Sequence, residues 1–395
     1  MKKDHLISSE EAKDLVASVI QQLGVEQIPF TKAKDRILAE AIFTDRPYPP
    51  FDRATMDGIA IRFKDLKYLS SGISCKKTAF AGEPQQILAP QEAIKIMTGA
   101  PVPEEAELVI QVEKLNFEDE KVFCEDISEM KIGQHIHPIG SDLSANQLVL
   151  KSGKILTSGD VACLATLGKT AVLVKRNPVI GIITTGDELI PPSEFPLEHQ
   201  IRSSNRYFLE SVFKSRGAQV QSFHVPDEIE LIKKGIDEMI KRVDCLILCG
   251  GVSKGDKDHV YKALDVLRAS KLFHRVAQKP GKPLWFGTLD QKPVFGLPGN
   301  PLSVAATCCA YILPHLFTIT PEFLELSVDT SFKPALTYFC PGICFRDGDL
   351  VRFKPTKFNT SGDVLSLSKI SGFLELPASK DEFKKGEKYR YYPID

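Results

Sequence analysis

Two lysines held among prolines and glycines, in Lys279-Pro280-Gly281-Lys282-Pro283, precede the run Phe295-Gly296-Leu297-Pro298-Gly299-Asn300-Pro301-Leu302-Ser303. Proline stiffens such a loop, and glycine permits positive φ and close backbone approach. Ammonium groups on stiff turns, beside N–H groups where a Gly-Asn-Pro turn enters a helix, suit phosphate or another tetrahedral oxyanion. Solvated surface lysines are the commoner case, but they need no rigid scaffold. A second run, Cys249-Gly250-Gly251-Val252-Ser253-Lys254-Gly255-Asp256-Lys257-Asp258, places two glycines, a hydroxyl and two carboxylates after an apolar segment. Gly250 and Gly251 would let phosphate approach backbone N–H groups, and Asp256 or Asp258 could hold a divalent cation through oxygen. The competing reading is a surface turn with solvated acids. Thr184-Thr185-Gly186-Asp187-Glu188 also follows an apolar segment; Asp187 alone reads as a helix cap, while Glu188 beside the previous loop gives a carboxylate pair across one site. Asp57-Gly58 resembles a hairpin turn, and Met97-Thr98-Gly99-Ala100-Pro101-Val102-Pro103 is a second turn; residue types alone assign neither any chemistry.

The elements that must position these loops follow from periodicity. Ser8 with Glu11 reads as a capping box opening a helix through Leu15, Val16, Val19, Ile20 and Leu23, closed by Gly24. Arg36 to Ala41 reads as a further helical piece. From Arg46 to about Gly140, short β-prone runs punctuated by Pro, Gly and acids predict a β-rich domain. Leu148 to Val174 looks like a connector returning to the region of the first helix. From Val179 strands and helices alternate, with strands at Val179–Thr184, Gln219–Val225, Val243–Cys249 and Val294–Leu297. The intervening helices are Asn205–Arg216, Glu228–Arg242 and His259–Leu267, and Leu302–Phe317 follows the last strand. This pattern predicts a mostly parallel sheet covered on both faces, with ligands at the C-terminal strand ends, where the three richest loops fall. After Thr320-Pro321 short strands return, as a small terminal β domain. The expected fold class is multidomain α/β plus β. Its parts are a helical and connector region (1–45 and 141–175), a β-rich insert (46–140), a central α/β domain (176–320) and a C-terminal barrel-like β domain (321–395).

At 395 residues the chain exceeds one ordinary core. It is 43% hydrophobic and 26% charged with a net charge of −1, so anion binding must come from a local site, and a broad nucleic-acid footprint is not expected. No signal peptide or membrane-spanning stretch is apparent, and nine scattered cysteines suit buried thiols in a reducing cytoplasm. With no Cys-x-x-Cys pair, His135-x-His137 is a weak metal signal.

In order, Phe51-Asp52 with Met56-Asp57-Gly58, Thr98-Gly99-Ala100-Pro101-Val102-Pro103, Gly250-Gly251-Val252-Ser253 with Gly255 and Asp258, Lys279-Pro280-Gly281-Lys282-Pro283, and Leu297-Pro298-Gly299-Asn300-Pro301 resemble the molybdopterin molybdenumtransferase (MoeA and gephyrin E-domain) family. The resemblance spans nearly the whole chain. It implies an elongated homodimer of four-domain subunits that inserts molybdate into adenylylated molybdopterin, releasing AMP with Mg²⁺ assistance. It also implies that the insert of one subunit faces the α/β domain of the other. Asp57, Glu188 and Asp258 are then expected in catalysis and metal or water positioning, and Lys279 and Lys282 in oxyanion binding. Thr98, Gly99, Gly250, Gly251, Ser253, Pro298, Gly299, Asn300, Pro301, Ser303 and Ser371 are expected to bind the pterin substrate. A molybdopterin adenylyltransferase-type protein is a candidate partner. The chain departs from the family pattern at Arg53-Ala54-Thr55, at His137 and Ser141, at Cys249, and in lacking an arginine near Tyr338. Two rival readings are a non-catalytic molybdopterin-binding scaffold, which predicts fused domains or long linkers, and an adenylyltransferase-like enzyme, which predicts neither the insert nor the terminal β domain.

Overall fold

The computed structural model describes residues 6–20, 23–251, 259–317 and 319–395. Its contacts divide the chain into two compact units, Gly24–Lys175 and a second made of Arg176–Asp395 with the N-terminal residues up to 23.

The second unit is built on a six-stranded sheet in the order Gln219–Val225, Val179–Thr185, Cys245–Cys249, Lys292–Leu297, Trp285–Leu289, Ser270–His274. The first four strands are parallel; Trp285–Leu289 runs antiparallel to Lys292–Leu297, and Ser270–His274 antiparallel to Trp285–Leu289. Cys245–Cys249 is buried at every position and Val179–Thr185 at all but its first, as unbroken apolar strands covered on both faces should be. Ile229–Ile240 buries Ile232, Ile236, Met239 and Ile240, the stripe of an amphipathic helix lying on one face. On the other face the helix Asn205–Lys214 buries Leu209, Val212 and Phe213.

A second six-stranded sheet closes on itself. Thr337–Asp347, Leu350–Pro355, Glu322–Leu326, Lys388–Pro393 and Gly372–Leu376 pair in turn, and Gly372–Leu376 pairs back with Thr337–Asp347. This five-stranded barrel encloses Leu324, Phe353, Leu374 and Phe383. Its sixth strand is borrowed: Gln278–Lys279 lies parallel to the longest barrel strand, with Gln278 opposite Thr337 and Lys279 opposite Tyr338.

The Gly24–Lys175 unit carries a six-stranded sheet whose second strand, Gly58–Ile61, lies between the edge strand Leu108–Gln111 and Glu92–Ile96. A separate apolar cluster, including Leu38, Ile42, Leu150, Leu164 and Val174, joins its first and last segments.

Three expectations change. Arg36 to Ala41 is not helical: Ile37 and Leu38 form isolated bridges to Ile155 and Val174, because their side chains serve a core of strands and loops. The helix Ser9–Val19, capped by the Ser8 hydroxyl as one half of the expected capping box and ending short of Leu23, buries Ala12 and Val16 in the core of the α/β sheet and so belongs to the second unit, not with the connector. The last α/β helix is interrupted: Pro301–Thr307 passes into a π-helical stretch, Cys308–Ile312, before Leu313–Leu316. Pro314 removes a backbone donor at that point. Among the described residues no helix is long and apolar enough to cross a membrane.

Candidate functional site

The parallel register aligns three strand ends. Thr184 lies opposite Cys249, and Cys249 opposite Leu297, so Gly186–Glu188, Gly250–Gly251 and Pro298–Gly299 leave the same edge of the sheet. Gly250 has φ +106°, and a Cβ there would stand 2.7 Å from the Thr185 carbonyl oxygen. Glycine is therefore required, and the turn can lie flat against its neighbour. Among the described residues the Thr185 hydroxyl, buried beside both glycines, has no hydrogen-bond partner, so it is a candidate donor to a ligand. Gly250 N–H donates to the Leu297 carbonyl at 3.2 Å, and Asn205 Nδ2 donates to the Gly299 carbonyl at 2.6 Å, fixing the Pro298–Gly299 turn. Cys249, at the residue before the glycines, is not a nucleophile: burial pushes its thiol up to about 12.

Acids crowd the neighbouring strand ends. Gly186, at φ +139°, leaves the space into which the Glu188 carboxylate folds, its oxygens 2.8 Å from where a Cβ would stand. Asp187 accepts the Asp227 N–H at 3.0 Å. Desolvation lowers the pKa of His224, while the carboxylates of Asp227, Glu188 and Asp187 all pull against it. Sequence reading passed over Asp227; its signal was its place two residues beyond the strand Gln219–Val225. Ser253 and Asp258 lie outside the described residues, as does Asp256.

The lysines sit apart from this acid cluster. Lys279 is exposed and Lys282 half-buried; both line a cavity of about 940 Å³ between the α/β loops and the barrel, together with Asn300 and Ser303. Neither has a carboxylate partner among the described residues. Lys279 Nζ lies 5.9 Å from the centre of the Phe332 ring. Gly281 has φ +86°, and a Cβ there would meet Thr307 Cγ2 at 2.6 Å. The loop is tied from below: Gln278 Nε2 donates to the Gly281 carbonyl at 3.1 Å, and the Tyr311 hydroxyl, placed by the π-helical stretch, donates to Gln278 Oε1. Ser9 Oγ is 2.9 Å from the Tyr311 oxygen and 3.2 Å from Glu375, which also takes bonds from Lys13 and Tyr392.

The helix start differs from expectation. Pro301 has no N–H, and Leu302 N–H is already bonded to the Ser361 carbonyl at 3.1 Å, with Asn300 Nδ2 on the Ser361 hydroxyl at 2.9 Å. The barrel's own chain therefore occupies the amide that sequence reading left open for an anion. Ser371 is also spent internally: its hydroxyl accepts the Cys344 N–H at 2.7 Å, and it does not line the cavity.

In the Gly24–Lys175 unit, register brings Asp57 and Thr98 together. Gly58 pairs with Ile96, so the residues just outside that pair meet at one sheet end. Thr98 donates both its hydroxyl and its N–H to Asp57 Oδ1, each at 2.7 Å, holding the carboxyl below the usual range. Asp57-Gly58 is not a hairpin turn: Gly58 opens the strand Gly58–Ile61, where a Cβ would fall 1.8 Å from the Ile110 carbonyl oxygen. Gly99, at φ +84°, makes the turn after Thr98. Nearby, Arg53 donates to His137 Nδ1, and His137 Nε2 lies 2.9 Å from Asp142. No group of three or more His, Cys, Asp or Glu among the described residues is placed to share a metal.

Residues 7–168 match the MoeA N-terminal region (domain I and II), and residues 181–318 match the probable molybdopterin binding domain. The chain is 34% identical to a molybdopterin molybdenumtransferase of Synechocystis sp., covering 98% of this chain and 100% of that one. It is 30% identical to one of Bacillus subtilis, covering 96% and 92%. A crystal structure of the molybdopterin biosynthesis MoeA protein from Pyrococcus horikoshii superposes with a TM-score of 0.83 at 28% identity, covering 99% and 100%.

Proposed function

Since this chain belongs to the molybdopterin molybdenumtransferase (MoeA) family, we propose that it inserts molybdate into adenylylated molybdopterin, releasing AMP and giving Mo-molybdopterin. The observation that carries this reading is the cavity lined by Lys279 and Lys282, neither of which has a carboxylate partner among the described residues, in the unit whose strand ends carry the Gly250–Gly251 turn. Molybdate is a tetrahedral dianion, and ammonium groups on a loop held by the Gln278 and Tyr311 bonds bind it without reorganising. The phosphates of the pterin substrate lie along Gly250–Gly251, where the missing side chains permit close approach and Thr185 donates its hydroxyl. The Pro298–Gly299 turn and Asn300, Pro301 and Ser303 border both regions, so the dithiolene end of the substrate reaches the molybdate while its phosphates stay on the glycine turn.

Release of AMP breaks a P–O bond of the phosphoanhydride as an oxygen nucleophile adds to the same phosphorus. Its acceleration rests on positioning and charge neutralisation. Glu188 and Asp227, which both act on the charge of His224, would offer Mg²⁺ hard oxygens together with Asp258, and the bound cation would neutralise phosphate charge. Asp57, fixed by Thr98 through one oxygen, keeps the other for a water or the cation. The chain works as a homodimer in a reducing cytoplasm, the insert of one subunit completing the site of the other. Incubating the purified protein with adenylylated molybdopterin, Mg²⁺ and molybdate should release AMP in a molybdate-dependent manner; an AMP yield indifferent to molybdate would refute the reading.

A further inference from the structure

We infer that Lys357, on the barrel, is a third anion-binding side chain, so that the oxyanion is gripped from two sides. This inference rests on the oxyanion reading of Lys279 and Lys282. Lys357 lines the same cavity as those two lysines and has no carboxylate partner among the described residues. Its segment is anchored at both ends. Thr356 N–H donates to the Pro341 carbonyl at 2.8 Å, within the barrel. Ser361 takes bonds from Asn300 Nδ2 and Leu302 N–H at the start of the helix Pro301–Thr307. The carrier of the lysine is thus held against the turn that borders the proposed anion.

Charge balance points the same way. Asp329 also lines the cavity, but its carboxylate accepts the Lys385 N–H at 2.8 Å and lies 3.9 Å from Lys384 Nζ. Three lysines therefore line a cavity whose lining acid is already partnered. Ser371, the barrel residue that sequence reading nominated, keeps its hydroxyl for Cys344. The barrel's contribution to the anion falls instead to the 356–361 segment.

The test uses the full chain and sodium molybdate titrated calorimetrically without pterin, with thermal unfolding to confirm that each variant folds. Lys357 is exposed, so Lys357→Ala should weaken molybdate binding by about threefold to fivefold, the scale of a solvent-screened charge contact. Lys357→Arg should restore most of the loss, and Lys357→Glu should exceed it. In AMP release the half-saturating molybdate concentration should rise while the rate at saturating molybdate stays unchanged. Lys354→Ala, an exposed barrel lysine outside the cavity lining, is the control and should have no effect. An unchanged affinity in Lys357→Ala, with Lys282→Ala weakened, overturns the role of Lys357 and leaves the oxyanion reading standing. An equal loss in Lys354→Ala overturns it too, because the effect would be a diffuse field. No change in Lys279→Ala, Lys282→Ala or Lys357→Ala overturns both.

Discussion

Removing one oxygen far from any substrate should loosen the lysine loop. Tyr311 is fully buried, its hydroxyl donating to Gln278 Oε1 and lying 2.9 Å from Ser9 Oγ, while Gln278 Nε2 holds the Gly281 carbonyl. Burial drives the Tyr311 phenol well above its ordinary range, so it remains a donor at every working pH. Tyr311→Phe keeps the ring and its edge contact with Phe339, centroids 6.0 Å apart, and leaves Gln278 Oε1 without its donor. A net hydrogen bond contributes about 1 kcal/mol, and an orphaned buried acceptor costs about 1–3 kcal/mol, so stability should fall by about 1–3 kcal/mol. That cost is localised at the strand Gln278–Lys279 and the turn behind it. Amide hydrogen exchange of 278–282 should therefore rise more than that of the barrel strands. The half-saturating molybdate concentration should rise with it, while the rate at saturation stays within a factor of two. Ser9→Ala should show a smaller effect, because Gln278 keeps its donor. If Tyr311→Phe left exchange at 278–282 and the molybdate dependence as in the wild type, the network would not hold the loop and the reasoning would fail.

Lys282→Gln should raise the molybdate concentration for half-maximal AMP release by about tenfold to a hundredfold, the scale of a charge-assisted hydrogen bond, with a smaller effect on pterin binding; an unchanged curve would place the oxyanion elsewhere. Glu210 gives a pH test: burial would raise its pKa, but bonds from Lys214, Ser222 and Arg206 outweigh this and bring it from 4.5 to about 2. The folded pKa is depressed, so the contribution, at most about 3 kcal/mol, is fully present above the unfolded value and is lost as pH falls through the folded one. The stability gap between wild type and Glu210→Gln, measured by urea unfolding, should accordingly be widest above pH 5 and close toward pH 2; a gap independent of pH would contradict it. Subunits carrying Asp57→Ala, mixed with subunits carrying Lys282→Ala, should regain part of the lost AMP release, since a site shared across the proposed dimer leaves one site free of both changes; no recovery in verified heterodimers would place both residues in one subunit's site.

The acquisition of Asp227 shows where sequence reading stops. Nothing about Pro226-Asp227-Glu228 differs from an ordinary turn until the strand Gln219–Val225 is known to lie beside Val179–Thr185, which brings its end to Asp187 and Glu188. The same holds for Asp57 and Thr98. Their loops were visible, but their contact depends on Gly58 pairing with Ile96, and register is a long-range property.

What the chain's sequence determined by itself was local. Unbroken apolar runs at Val179–Thr185 and Cys245–Cys249 can only be strands buried on both faces, and the amphipathic stripe of Ile229–Ile240 can only lie against such a sheet. Glycines at 250 and 281 marked places where a side chain would collide. Only the tertiary structure decided which donors remain free. The Leu302 amide and the Ser371 hydroxyl looked available and are bonded within the protein, while Thr185, an ordinary strand residue, keeps a buried hydroxyl with no partner among the described residues. Local preference acts through the few residues on either side of a position. Whether a polar atom is satisfied depends on chain brought from far away, as when Ser361 folds back onto Asn300 and Leu302 and carries Lys357 to the lysine cavity.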